Sequence, residues 1–305
     1  MSSRDRMIPN MICLAVLMVT CILLSACGAS APENREESTA APAHGPERVV
    51  ALSRSVGELW TLAGGELCGV TEDAKDLQGL KEDVSLIGSL SRPSLEAILA
   101  CEPDLVMLTE DLSAHKEIAQ QLRDMKIPVL TIDLEGFDDF AEVMKDLTGR
   151  TGREDLYQKN VEEVRKRIDE ITADAGKKEP EGGSSFLCMR VSATKNKVLK
   201  QDYFACAIMT DLGLKNIAGS DSALDELNLE AIVRADPAWI FIVLQGDEDE
   251  AMAAYRDAFA SQSVWSDLTA VQQDRVIVLP KDLFQYKPNA RWDEAYRYVF
   301  EILFP

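Results

Sequence analysis

Short apolar runs alternate along most of this chain with longer stretches in which apolar positions recur every three or four residues. The short runs suit buried strands, and the periodic stretches suit helices packed on a sheet. Strands are expected at 48–52, 67–70 and 85–87, with a helix over 56–63 and a charged loop between the later two. A helix over 112–125 and a strand at 128–132 follow. From 137 to 175, Phe140, Val143, Met144, Leu147, Leu156, Val161, Val164, Ile168 and Ile171 keep helical spacing, with Gly149 and Gly152 as interruptions. That length predicts one long helix, or two in line. After a polar, Gly-containing loop at 177–184 the alternation resumes: strands at 185–191 and 197–199, helices at 203–212 and 252–260, a strand at 275–279 and a closing helix at 292–303. Strand–helix alternation of this kind builds a largely parallel sheet.

One pattern occurs twice, at 94–108 and 228–242. Leu-Glu-Ala-Ile recurs at 95–98 and 229–232, a proline follows five residues later (Pro103, Pro237), and an apolar run follows each proline. Ser94 and Asn228 are expected to cap a helix. Glu96 and Glu230 then fall in the first turn, where the helix dipole favours a carboxylate. The prolines stop the helices, and the runs 104–108 and 238–243 read as buried strands. A unit repeated once predicts two similar α/β lobes, at 47–134 and 184–305, with 135–183 as connector helix and loop. A rigid connector explains the length of the 137–175 stretch better than an ordinary surface helix does.

The first residues read differently. Arg4 and Arg6 precede an apolar stretch from Met11 to Leu24, and small residues lead to Cys27. This is the organisation of a secretory signal over 1–26. Leu24-Ser25-Ala26-Cys27 resembles the bacterial lipobox, in which the cysteine becomes lipidated. An uncleaved membrane anchor is the alternative, though the run is short for a spanning helix. Residues 27–46 are small, polar and Pro-containing and are expected to form a flexible tether. Acyl groups on Cys27 would hold the chain at the outer face of the cell membrane or at the periplasmic membrane surface, with no other membrane contact. The formal charge of −20 excludes a nucleic-acid role. Cys68, Cys101, Cys188 and Cys206 lie in apolar surroundings without metal or redox spacing and are expected to be buried free thiols; export leaves disulfides open.

Taken in order behind the lipobox, Arg48-Val-Val-Ala-Leu-Ser53, Ile87-Gly-Ser-Leu-Ser-Arg-Pro93, both repeat copies, Leu147-Thr-Gly149, Gly152-Arg-Glu154 and the segment 265–280 resemble the substrate-binding proteins of bacterial ABC importers for iron chelates, haem and cobalamin. The resemblance covers essentially all of the chain after the tether. It implies an α/β fold of two Rossmann-like lobes with mostly parallel sheets, joined by one long rigid connector helix, with a ligand cleft between the lobes. It also implies that Glu96 and Glu230, one per lobe, dock into an ABC permease dimer served by ATPase subunits.

Cleft residues should come from loops at the C-terminal ends of strands. Arg54, Arg92, Arg190 and Lys287 stand out in so acidic a chain, because converging cations suit an anionic chelate. Tyr203, Gln245 and Tyr286 are the remaining candidates, with surface pairing or core packing as the competing reading for each. With only His44 and His115 present, and His115 expected on the surface, no protein-held metal and no cofactor are expected. The ligand is therefore expected to be a small molecule that brings its metal already chelated, a ferric siderophore ahead of haem or cobalamin. An exported two-lobed enzyme and a lipid-anchored sensor are the competing classes. The chain has no Gly-x-Ser-x-Gly, no phosphate-binding glycine loop and no Ser/His/Asp set, so no catalytic residue is assigned.

Overall fold

A computed structural model describes residues 45, 47–110, 112–219 and 229–305. The expected signal, the lipidation site Cys27, nearly all of the tether, and the cap Asn228 lie outside the described residues. In chain order the strands are β1 (Val49–Ala51), β2 (Leu67–Val70), β3 (Ser85–Leu86), β4 (Gly88–Ser89), β5 (Arg92–Pro93), β6 (Leu105–Leu108), β7 (Val129–Thr131), β8 (Ser185–Val191), β9 (Asn196–Val198), β10 (Lys215–Asn216), β11 (Trp239–Leu244) and β12 (Val276–Val278). They form two main sheets, in the orders β3-β2-β1-β6-β7 and β10-β8-β11-β12, all parallel along those paths. β9 runs antiparallel to β8, and β4 and β5 make a small hairpin. Both sheets belong to one compact unit.

Both faces of each sheet are covered, which explains why the central strands are apolar without interruption. In β11, Trp239, Phe241 and Val243 enter a core shared with the first sheet, while Ile240, Ile242 and Leu244 enter an outer core of their own lobe. β1 and β6 divide in the same way: Val49, Ala51, Leu105 and Met107 face the shared core, and Val50, Leu52, Val106 and Leu108 face an outer one. The two repeat copies occupy matching places. Each runs from a short helix (Leu95–Ala100, Leu229–Ala235) into β6 or β11, flanked in its sheet by β1 and β7 or by β8 and β12. The repeated isoleucines, Ile98 and Ile232, are fully buried in the outer cores, and Glu96 and Glu230 are exposed. Ser94 caps the first helix as expected, its Oγ accepting from Ala97 N at 3.2 Å.

The segment between the sheets is helical but broken. Phe137–Thr151 ends at Gly152, whose φ of 70° only glycine adopts freely, and a second helical stretch runs from 154 to 175 through a π turn. Its Val164, Ile168 and Ile171 are buried in the shared core, and the helix packs on Trp292–Leu303. Trp292 lies edge-on to Phe204 at 5.6 Å and to Phe137 at 6.1 Å, tying connector, second lobe and closing helix together. No helix among the described residues is long and apolar enough to cross a membrane.

Candidate functional site

In a doubly wound sheet the crevice opens where successive connections leave a strand in opposite directions. In the first sheet that point lies between β1 and β6, and in the second between β8 and β11. The C-terminal ends of these strands and the chain just beyond them supply Ser53, Arg54, Ser55 and Thr109 on one side, and Arg190, the penultimate residue of β8, and Gln245 on the other. All six line one cleft of about 580 Å³, together with residues 132–135 after β7 and residues 285–287 beyond β12. A volume of this size is ordinary for a small-molecule site.

Of the seven expected ligand contacts, Arg54, Arg190, Tyr203, Gln245, Tyr286 and Lys287 line this cleft, and Arg92 does not: it is exposed on β5. Arg54 opens the helix Arg54–Leu62, capped by Ser53. Its guanidinium is held by the Asp73 carbonyl at 3.2 Å and by the Asp76 carboxylate, and this pairing keeps the Asp76 carboxyl below the usual carboxylate range. Lys287 donates to Leu134 O, bridging from the second lobe to the first, and lies 5.2 Å from the centre of the Phe204 ring. Nearby, buried Asn289 donates to Ser55 O at 3.3 Å and to Glu58 at 2.7 Å, a second bridge. The Tyr203 hydroxyl donates to Phe284 O at 2.6 Å, and burial pushes its phenol well above the ordinary value. Tyr203 is thus a wall of the cleft with its polar end already used. Tyr286 is 40% exposed at the rim.

Arg190 differs from these. It stands directly opposite Lys197 in the β8–β9 register, both line the cleft, and neither has an ion-pair partner among the described residues. Like charges facing across a strand pair repel, so this arrangement favours an anion nearby, and the Asp202 carboxylate lines the same cleft. Lys197 was not among the expected residues; reading 185–191 and 196–198 as a hairpin would have put it beside Arg190. Asp73 and residues 132–135 were also not expected, although 132–135 follow β7 and obey the same strand-end rule. His115 corrects the sequence reading. It is fully buried, not superficial, because the helix Ser113–Asp124 turns it inward, where its ring nitrogens meet Thr109 O at 3.1 Å and Leu90 O at 2.9 Å. Among the described residues, no group of three or more His, Cys, Asp or Glu side chains is placed to hold a metal ion, and the cleft lining contains no His, Met or Cys.

Residues 49–283 match the model of the family described as periplasmic binding protein. The Fe(3+)-citrate-binding protein YfmC of Bacillus subtilis is 26% identical over 294 residues, covering 88% of this chain and 89% of that one. An ABC transporter substrate-binding protein from Listeria monocytogenes superposes with a TM-score of 0.71 at 20% identity, over 85% of this chain and 98% of that one. IsdE of S. aureus, solved with heme, gives a TM-score of 0.71 at 16% identity, over 86% of this chain and all (100%) of its own. These structures share the two-lobed fold.

Proposed function

We propose, from the premise that this chain belongs to the periplasmic binding protein family, that it captures a ferric chelate with anionic oxygens for an ABC importer. The family and the structural neighbours are substrate-binding proteins and not enzymes, so an extracytoplasmic binding role in import is the frame for the cleft. The observation that carries the chelate reading is the Arg190–Lys197 pair, two cations without ion-pair partners in a chain with 52 acidic and 32 basic residues. Guanidinium and ammonium donors suit carboxylate or catecholate oxygens at the outside of a chelate. Ferric citrate is the first candidate, since the relative YfmC is named for it. Haem is disfavoured: Tyr203 has its hydroxyl committed to Phe284, leaving Tyr286 as the one uncommitted axial donor of the usual types among the described lining residues.

Tryptophan fluorescence tests this reading, because Trp292 packs edge-on against Phe204 in the cleft wall. Titration with ferric citrate, other ferric siderophores, haem, cobalamin and free Fe³⁺ should give the tightest response with a ferric chelate. Tighter binding of haem or cobalamin, or silence across the panel, would sink it. Cys27 is proposed as the lipid anchor; palmitate labelling should require it, and labelling that persists in Cys27→Ala would refute the assignment.

A further inference from the structure

A second cavity, of about 360 Å³, adjoins the ligand cleft on the second lobe. Its described lining residues all come from 190–203, and four of them, Arg190, Lys197, Asp202 and Tyr203, also line the cleft. The two spaces therefore meet at the Arg190–Lys197 pair. Val198, Leu199 and Lys200 line the smaller cavity and not the cleft. Its apolar back is fixed in place: Val198 and Leu199 are buried, Leu199 N donates to Cys188 O at 2.9 Å, and Leu199 O accepts from Asn216 Nδ2 at 3.1 Å. A space bounded in this way is formed before a ligand arrives.

Charge distinguishes the two spaces. Across the cleft from β8 and β9 stand Asp73, Asp133 and Glu135, on the side supplied by the first sheet. Asp133 and Glu135 have no ion-pair partner among the described residues, and the Arg54 guanidinium on that side is already paired with Asp76. An anionic group in the cleft is thus repelled from one wall and drawn to the other. In the smaller cavity Arg190 and Lys197 meet a single carboxylate, Asp202, so positive charge is in excess there even with Lys200 left out of the count. A carboxylate gains most by passing the cation pair, away from the acidic wall.

We propose that the smaller cavity is an anion subsite, which takes a pendant carboxylate of the ligand while the iron core stays in the cleft. The preferred substrate is then a ferric chelate with a free carboxylate arm beyond its iron-binding groups, and Lys200 helps to select it. This inference rests on the chelate reading above. The Arg190 guanidinium can fork onto both oxygens of one carboxylate, and the ammonium groups act as point charges that tolerate arms of different length. An uncharged arm gains none of this and leaves the like charges of Arg190 and Lys197 facing one another.

Ferrioxamine B acylated at its terminal amine with acetate or with succinate gives two ferric chelates with one iron core, of which the second bears a carboxylate arm. In fluorescence titrations of the full chain the succinyl form should bind about tenfold or more tightly than the acetyl form, the scale of a hydrogen bond to a charged group. In Lys197→Gln and in Lys200→Gln that advantage should shrink to about threefold or less. Thermal melts check that each variant is folded, and the wild-type comparison decides the substrate class even if one is not. Equal or weaker affinity of the succinyl form in the wild type overturns the proposal. So does an advantage kept in full by folded Lys200→Gln, which would put the arm in the cleft itself. If ferric citrate or another chelate binds while the succinyl form does not, the subsite fails and the chelate reading stands. If no chelate binds at all, the chelate reading falls and takes the subsite with it.

Discussion

Arg190 and Lys197 face each other at the ends of β8 and β9, and the cost of that placement separates binding from stability. Replacing Arg190 with Gln removes one member of a like-charged pair, so the ligand-free protein should hold its stability or gain slightly, by about 0.2–1 kcal/mol. Ligand affinity should fall about tenfold or more, the size of a hydrogen bond to a charged group. Calorimetry and ligand titration of the same variant check both; a fall in Tm with unchanged affinity would make Arg190 structural. Cys68 shows the opposite balance. Burial, and then the neighbouring Cys101, push its thiol from 9.0 up to about 11. The fold therefore favours the neutral thiol. Its contribution is fully present below the thiol's ordinary value and is lost as pH rises through about 11. Thermal melts from pH 7.5 to 11 should fall less steeply in Cys68→Ala than in the wild type, while buried Tyr203 and Tyr296, also shifted upward by burial, keep some alkaline loss in both.

At the scale of elements, the repeat is conserved in conformation as well as in residues between its two copies. Glu102 and Asp236 hold the same place before the proline, and both adopt positive φ, 46° and 39°. The two turns are secured differently. Arg48 Nε donates to the Cys101 and Glu102 carbonyls at 2.7 and 3.2 Å, where a cation meets the end of a helix. Asp236 instead accepts from Thr269 N and Oγ1 at 2.8 and 2.7 Å, fastening the second turn to the helix Thr269–Gln272. Asp236→Ala should cost about 1–3 kcal/mol in urea unfolding, through two lost hydrogen bonds and an alanine held at positive φ. Asp236→Asn should cost less. Ligand affinity should not change in either, because the turn lies outside the cleft lining.

For the whole molecule, the shared core and the two bridges, Lys287 to Leu134 and Asn289 to Ser55 and Glu58, join the lobes, and Ser55, Leu134 and Lys287 of those bridges also line the cleft. Glu96 and Glu230 are exposed on equivalent helices, one per lobe, apart from the cleft-lining residues. We expect the Glu96→Lys, Glu230→Lys double variant to bind ferric chelate with unchanged affinity and to lose import. Uptake assays in cells beside titration of the purified protein check it, and normal uptake would refute a docking role for the two carboxylates.

Much of this was legible in the chain. Strands 67–70 and 185–191 and the helix 292–303 have the bounds that periodicity predicts, because burial on a sheet imposes a spacing of apolar residues that survives without knowledge of partners. The duplicated Leu-Glu-Ala-Ile, with a proline five residues on, determined two like lobes, since helix, turn and buried strand are each local consequences of neighbouring residues. The hairpin β4–β5 escaped, its strands being two residues each, too short to carry a period. Gly88, at φ 101° with Arg92 O only 2.7 Å from where a Cβ would sit, shows its need for glycine only once the chain is folded. The cleft was decided by tertiary structure. Strand order sets which loops converge, so Lys197 and residues 132–135 enter and Arg92 stays out, and His115 is turned inward between two backbone carbonyls. Sequence determines what local packing dictates; which distant groups share one site depends on the order in which strands pair.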